Sequence, residues 1–127
     1  MSTSEINLLN LLLDISKTSE NTYIYQYYSV LDSGAVVKVH GFVTERPTKF
    51  LVELSEKSIA NYEIKECLVP GLQDVVLVEE VTKQSVKIFD KDSDTAPKDY
   101  NFIIIATDKH TGKQIVCDPQ VRNKVKY

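Results

Sequence analysis

Three aspartates at alternate positions, Asp90, Asp92 and Asp94, have the spacing closest to that of a metal site in this chain. Carboxylate oxygens are the hard ligands that calcium requires, and an EF-hand loop supplies them from its first, third and fifth positions. That loop also needs a glycine at its sixth position and a glutamate at its twelfth, where this chain has Thr95 and Asn101. The pattern therefore favours a solvated loop between strands. Calcium binding by the three aspartates is the alternative hypothesis.

The histidines and cysteines are candidates for a zinc site or for nucleophilic catalysis. Zinc needs three or four ligands, so His40, His110, Cys67 and Cys117 would have to converge, and nothing in their spacing pairs them. Neither cysteine is predicted at a helix N-terminus, where its pKa would be lowered. The sequence also has no Gly-x-Ser-x-Gly motif and no glycine-rich phosphate loop. We therefore expect neither an enzyme nor a bound cofactor.

A stripe of tyrosines is the candidate for a binding surface. In an extended strand Tyr23, Tyr25 and Tyr27 share one face. Tyrosine suits interfaces because it combines a large contact area with a polar tip. The stripe is either a flat aromatic face for a partner or a carbohydrate, or an ordinary sandwich face packed on its neighbour. The second interpretation is favoured, with Val37, Val39 and Val43 across the strand pair.

A C-terminal hairpin is the clearest of the elements that would position these residues. Residues 100–107 carry large apolar side chains on both faces, which indicates a strand covered on both sides. Asp108 can accept a hydrogen bond from the backbone two residues on. Gly112 can take the positive φ that closes a hairpin onto the strand at residues 113–117.

The segment after Asp118-Pro119 restarts the chain and alternates to residue 127. Proline lacks an N–H donor, so it fits the first position of a strand or a sheet edge. Cations at every second position discourage pairing with another chain. The alternating Arg122, Lys124 and Lys126 therefore predict a guarded edge strand.

Upstream, short apolar runs separated by turn residues predict further strands, at residues 22–30, 36–43, 50–54, 62–67, 75–78 and 85–90. Residues 6–15 fit either a helix or a strand, and the strand is favoured because Leu9, Leu11, Leu13 and Ile15 then form an unbroken apolar face. Eight or nine short strands predict an all-β, immunoglobulin-like antiparallel β-sandwich, with a closed β-barrel as the alternative. Tyr100-Asn101-Phe102 is similar to the Tyr-x-Cys of strand F in that fold, with phenylalanine in place of cysteine.

Composition and charge limit the class of protein. A chain of 127 residues, 43% of them hydrophobic, suits one domain over residues 1–127 with one core. The net charge of −3 argues against a nucleic-acid partner. The first 15 residues lack the basic start and the cleavage site of a signal peptide, and no apolar run is long enough to span a membrane. We therefore expect a cytoplasmic protein with no membrane contact, in which Cys67 and Cys117 are free thiols.

The stretch from Thr107 to Asn123 resembles the closing signature of the small bacterial DP-EP family, which takes its name from an Asp-Pro and a Glu-Pro element. The Asp-Pro element is Asp118-Pro119, and the Glu-Pro element appears in altered form as Thr44-Glu45-Arg46-Pro47, with Arg46 inserted. The chain is more distantly similar to inclusion-body proteins of the PixA/AidA type. Both resemblances imply a β-sandwich without known catalysis, and neither implies an established function.

These observations predict a non-enzymatic module that binds a protein partner, or a second copy of itself, through a sheet face or edge. The prediction rests on the strand pattern, on the tyrosine stripe, and on the lack of a catalytic motif. The alternative function is a calcium-dependent ligand-binding domain that uses the loop from Asp90 to Asp94.

Overall fold

The structure is a computed structural model that describes residues 6–19, 22–44, 47–70, 75–91 and 98–123. In these ranges the chain forms twelve strands and one short helix. They are β1 (Asn7–Ser19), β2 (Thr22–Val30), β3 (Val36–Val39), β4 (Gly41–Thr44), β5 (Thr48–Leu54), α1 (Glu56–Ile59), β6 (Tyr62–Leu68), β7 (Val76–Val81), β8 (Ser85–Asp90), β9 (Lys98–Asn101), β10 (Ile103–Asp108), β11 (Gln114–Cys117) and β12 (Gln120–Asn123).

The ambiguous N-terminal segment is a strand, as favoured from its apolar alternation. Leu11, Leu13 and Ile15 are all buried on the inner face of β1. The strand pairs with β2 on one side and with β5 on the other, so it is an interior strand of its sheet. Burial of a continuous apolar face against a second layer outweighs the helical spacing of the polar residues.

Two layers enclose one core. The first layer is a six-stranded sheet in the order β3-β2-β1-β5-β8-β7. The second layer consists of two three-stranded sheets, β11-β10-β6 and β4-β12-β9. These two sheets are continuous along the chain, because Phe102 joins β9 to β10 and Asp118-Pro119 joins β11 to β12.

The strand order is that of an immunoglobulin-like sandwich, which confirms the predicted fold class. The series β1-β5-β8-β7 corresponds to strands A-B-E-D of that fold, and β6-β10-β11 corresponds to strands C-F-G. The hairpin β2-β3 extends the first layer beyond strand A. The sheets do not close on each other, so the alternative of a closed barrel is wrong.

The structure differs from the prediction in strand number and in two pairings. The predicted strand at 36–43 is divided at His40, where the chain crosses from β3 in the first layer to β4 in the second, and the strand from residue 100 is divided at Phe102. Because of that crossing, β1 and β5 run parallel, and so do β12 and β4. The predicted sandwich was purely antiparallel, with eight or nine strands.

The predicted guarded edge at the C-terminal tail is wrong for the part that the structure describes. β12 lies between β4 and β9 and pairs with both, so it is interior to its sheet. Lys124 and Lys126 lie outside the described residues. Period-two alternation is the same for an edge strand and for an interior strand with one polar face, so the pattern alone could not separate the two.

An aromatic cluster holds the two layers together at the centre. Phe50 of β5 and Phe102, both almost fully buried, have ring centroids 5.5 Å apart. Phe42 of β4 packs on both of them, and Tyr27 of β2 meets Phe102 edge-on at 6.2 Å. Phe50 lies on the counterpart of strand B and Phe102 directly precedes that of strand F, the two strands that a disulfide joins in antibody domains. An aromatic contact therefore joins the layers where those domains use a covalent bond.

Beyond the end of β5, Ser55 and helix α1 replace that strand as hydrogen-bonding partners of β1. Ser55 caps the helix by accepting a hydrogen bond from the Ser58 N–H, and its own N–H donates to the Leu13 carbonyl. The buried Ser58 hydroxyl accepts a hydrogen bond from the Ile15 N–H at 2.8 Å. This segment thus satisfies a backbone donor that a buried strand end would otherwise leave unpaired.

Candidate functional site

The three predicted tyrosines of β2 point inward, toward the hairpin formed by β10 and β11. The Tyr23 hydroxyl donates to Asp108 Oδ2 at 2.7 Å, the Tyr25 hydroxyl to Asp118 Oδ1 at 2.7 Å, and the Tyr27 hydroxyl to the Cys117 carbonyl at 3.0 Å. Each hydroxyl therefore bridges the first layer to the second. The side chains form a row of cross-layer hydrogen bonds, which we call the hydroxyl ladder.

Burial differs along this row of tyrosines. Tyr27 is 3% exposed, and burial raises its pKa well above the ordinary value. Tyr23 is half-buried, and Tyr25 is 37% exposed. Tyr27 therefore follows the packed interpretation, whereas a binding role for Tyr23, Tyr25 and Tyr27 stays a prediction. Tyr27 lies opposite Val39 in the β2/β3 pair, as the packed interpretation expected, but Val43 lies on β4 and pairs with β12 instead.

Asp108 organises the turn between β10 and β11. Its Oδ1 accepts a hydrogen bond from the His110 N–H at 2.8 Å, which is the local bond predicted from the sequence, and Gly112 has the predicted positive φ of 77°. Its Oδ2 accepts the bond from Tyr23. The hydrogen bond from Tyr23, followed by bonds from the backbone of His110 and Thr111, lowers the pKa of the Asp108 carboxyl below its ordinary value.

The lowered pKa of Asp108 predicts a loss of stability in acid. The carboxylate stabilises the fold fully above its unfolded pKa of about 4, and this contribution disappears as the pH falls through the lower folded value. We expect the free energy of unfolding, measured by urea titration, to fall less steeply as the pH drops below about 4 in Asp108→Asn than in the original protein. Tyr23→Phe removes the largest cause of the shift and should also flatten this fall. Equal slopes in all three proteins would contradict the prediction.

The same turn is fastened by three hydrogen bonds to the end of α1 and to Asn61, which follows it. Lys109 donates from its N–H to the Asn61 carbonyl and from Nζ to the Ile59 carbonyl, both at 2.9 Å. The His110 Nε2 lies 3.0 Å from Asn61 Oδ1. These bonds bring together residues about 50 positions apart in the sequence and hold the turn at one end of the sandwich.

A cleft of about 470 Å³ opens between this turn, the end of β1 and α1. We call it the hairpin cleft. Its walls are formed by Ile15, Ser16, Lys17, Lys57, Asn61, Tyr62, Asp108 and His110. Its volume lies in the range of small-molecule sites. Of the residues singled out from the sequence, Asp108 and His110 line it, and Tyr23 lies directly behind Asp108.

The predicted calcium ligands are divided between described and undescribed residues. Asp90 ends β8, is fully buried, and lies opposite Thr48 and Val76. Asp92 and Asp94 lie outside the described residues. Within the described ranges, no three histidine, cysteine or acidic side chains are grouped as a metal site would require. Calcium binding at Asp90, Asp92 and Asp94 stays a prediction.

The cysteines are free thiols, as expected, and lie on the two strands that flank β10. Cys67 of β6 and Cys117 of β11 both face Ile104, one on each side. Two strand spacings separate them by about 9.6 Å, which is beyond the reach of a disulfide. Burial raises the pKa of each thiol to about 12. Neither is therefore an activated nucleophile.

A second candidate site is the edge of the six-stranded sheet at β3, which we call the β3 edge; among the described strands, β3 pairs with β2 alone. Val36 is 51% exposed and Val37 is 46% exposed. The opposite edge of that sheet, β7, has a register shift between Val78 and Glu80 and carries the acidic Glu79 and Glu80. Bulges and charges protect an edge from further pairing, so β3 is the less protected of the two.

Sequence reasoning missed both the hairpin cleft and the β3 edge. Lys17, Lys57 and Asn61 carry no local motif, and they meet only because β1, α1 and the turn converge in space. The one usable signal was the turn at Asp108. A turn that its own side chain holds rigid can form one wall of a cleft against a neighbouring segment. The β3 edge required knowledge of the strand order.

No protein-family model and no curated protein matches this chain. Within the described ranges, no helix has the length and apolar character that a membrane crossing requires.

Proposed function

We propose that this protein is a non-enzymatic interaction module that associates with a second copy of itself along the β3 edge. The observation that carries the proposal is the pair of exposed valines, Val36 and Val37, on a strand that ends a six-stranded sheet. An extended segment added to such an edge satisfies backbone groups and buries apolar side chains at the same time.

The sequence of β3 is compatible with pairing to itself. In an antiparallel pair of two β3 strands centred on Val37, this residue lies opposite Val37 of the second copy, and Val36 lies opposite Lys38. Residues directly opposite each other share a face. The two Val37 side chains would therefore pack together on the inner side, where the second layer leaves Val37 46% exposed.

The outer face of the first layer supports the same proposal. Register places Val30 of β2 opposite Val36 of β3, and Tyr28 of β2 opposite Lys38. Ile24, on the same outward face of β2, is 56% exposed. Apolar side chains thus continue from the β3 edge onto the adjoining strand. A four-residue strand gives a small contact, so we expect a weak dimer, with a dissociation constant on the order of 0.1–1 mM.

Association should be lost in the variant Val37→Lys. Two lysines directly opposite each other repel, whereas the monomer tolerates a charge at a position that is already half exposed. Sedimentation velocity from micromolar to millimolar protein should show a growing dimer fraction in the original protein and monomer throughout in the variant. We expect at least about a tenfold weaker association, equivalent to 1.4 kcal/mol.

The matched control is Val81→Lys, which places the same charge on the opposite edge of the sheet, where Val81 is 38% exposed. This variant should dimerise like the original protein. A protein that stays monomeric at millimolar concentration would contradict the proposal. A dimer that survives Val37→Lys and is lost in Val81→Lys would place the interface elsewhere and also contradict it.

Membership of the DP-EP family and a cytoplasmic location belong to this proposal as well. The immunoglobulin-like strand order supports the first, because the resemblance implies that fold. The free, buried thiols are compatible with a reducing compartment. No observation on the described residues favours the calcium-dependent alternative.

A further inference from the structure

The walls of the hairpin cleft carry more positive than negative charge. Lys17 comes from β1 and Lys57 from α1, while Asp108 is the carboxylate that lines the cleft. Neither lysine forms an ion pair with any carboxylate of the described residues, unlike Lys49 and Lys87, which pair with Glu79 and Glu80. The protein as a whole has a net charge of −3, so this excess of cations is local.

Lys17 lies beside the hydroxyl ladder. Its Nζ lies over the ring of Tyr23, 5.9 Å from the centroid. The hydroxyl of that ring donates to Asp108. Since Oδ1 of Asp108 accepts from His110 and Oδ2 from Tyr23, this carboxylate already has donors on both oxygens. The two ammonium groups are left to interact with an anion that enters the cleft.

Hydrogen-bonding groups line the rest of the cleft. Tyr62 is only 6% exposed, and its hydroxyl makes no hydrogen bond with any residue that the structure describes; the hydroxyl oxygen itself is open to solvent. A phenol in this position normally finds a partner, and the part of the residue that remains accessible lines the cleft. The side chains of Ser16, Asn61 and His110 add further donors and acceptors around it.

We propose that the hairpin cleft binds a small phosphorylated ligand of sugar-phosphate size. The phosphate lies between Lys17 and Lys57, and hydroxyl groups of the ligand contact Tyr62 and Asn61. A phosphate monoester carries a charge of about −1.5 to −2 at neutral pH, which matches two ammonium groups, and lysine is a common phosphate ligand. The cleft of about 470 Å³ has room for a sugar beyond the phosphate. Two lysines on an acidic protein do not suit a long polyanion.

The test is a titration of the isotope-labelled protein, followed by amide chemical shifts, with ribose 5-phosphate as the probe. Ribose and inorganic phosphate are titrated separately. We expect shifts at β1, α1 and the β10–β11 turn with ribose 5-phosphate, and at least about tenfold weaker binding of either comparator, since each supplies only part of the charge-assisted and neutral hydrogen bonds. Equal affinity for ribose or for inorganic phosphate would overturn the proposed ligand class.

Variants separate the two halves of the site. Lys17→Gln combined with Lys57→Gln should weaken binding of ribose 5-phosphate by at least about tenfold, and Tyr62→Phe by about two- to tenfold. Lys65→Gln, at an exposed lysine of β6 that does not line the cleft, is the matched control and should bind like the original protein. No shifts at the cleft, or full binding by the double variant, would overturn the proposal. These results do not depend on dimerisation through β3, because the titration can be repeated in Val37→Lys.

Discussion

Replacing Phe102 with alanine should lower the free energy of unfolding by about 3–5 kcal/mol, the cost typical of removing a fully buried aromatic ring. Phe102 is completely buried and contacts the rings of Tyr27, Phe42 and Phe50. It lies where β9 passes into β10. Urea denaturation followed by tyrosine fluorescence measures the loss.

The control for this prediction is Val116→Ala, on β11 of the same layer. Val116 is 53% exposed, so its truncation should change the free energy of unfolding by no more than about 0.5 kcal/mol. If Phe102→Ala lost less than about 1 kcal/mol, the aromatic cluster would not be the contact that holds the layers together.

The second large effect is expected from Ser58→Ala, at about 1–3 kcal/mol, the cost of leaving a buried donor without a partner. The Ser58 hydroxyl accepts hydrogen bonds from the Ile15 N–H and from the Ser55 hydroxyl, and it lies 3.3 Å from Asp14 Oδ1. Ile15 is 4% exposed, so water cannot replace the lost acceptor on its N–H. Amide hydrogen exchange at Ile15 should accelerate by more than the loss in global stability requires.

Thr18→Ala is the matched control, because it removes a hydroxyl from β1, the strand that carries Ile15. Thr18 is exposed and donates to the Thr22 carbonyl at 3.1 Å. Its loss should cost no more than about 0.5 kcal/mol and should leave exchange at Ile15 unchanged. A similar cost in the two variants would mean that the link between α1 and β1 is not stabilising.

The sequence alone was sufficient for the fold class and for the turn chemistry. Apolar alternation located the strands, and the Asp108 turn with Gly112 was predicted down to the hydrogen bond that closes it. It was insufficient for sheet order. The period of two is identical in interior and edge strands, which is why β12 was mistaken for an edge. The division of residues 36–43 at His40 was missed because a crossing between layers leaves no periodic signal.

The functional surfaces were harder to predict, for a physical reason. Tyr23 and Asp108 are 85 positions apart in the chain, and the partner of each tyrosine hydroxyl could not be known without the packing of the layers. The alternation correctly predicted that the three tyrosines share one face of β2. It could not tell whether that face points to the core or to solvent. Lys17 and Lys57 carried no signal, since single exposed lysines are common and only convergence makes them a site.

The pairing of β4 with β12 has a consequence for the order in which the protein forms. The hairpins β1-β2 and β2-β3 can assemble from neighbouring segments during synthesis, but Gly41 in β4 finds its partner only at Gln120. Since β12 follows every other described strand, Phe42 stays without its complete set of neighbours until the ribosome has released almost all of the described chain. The cost of closing so long a loop makes such contacts slow to form, so we expect β4 to be among the last described strands to gain its pairing in a nascent chain.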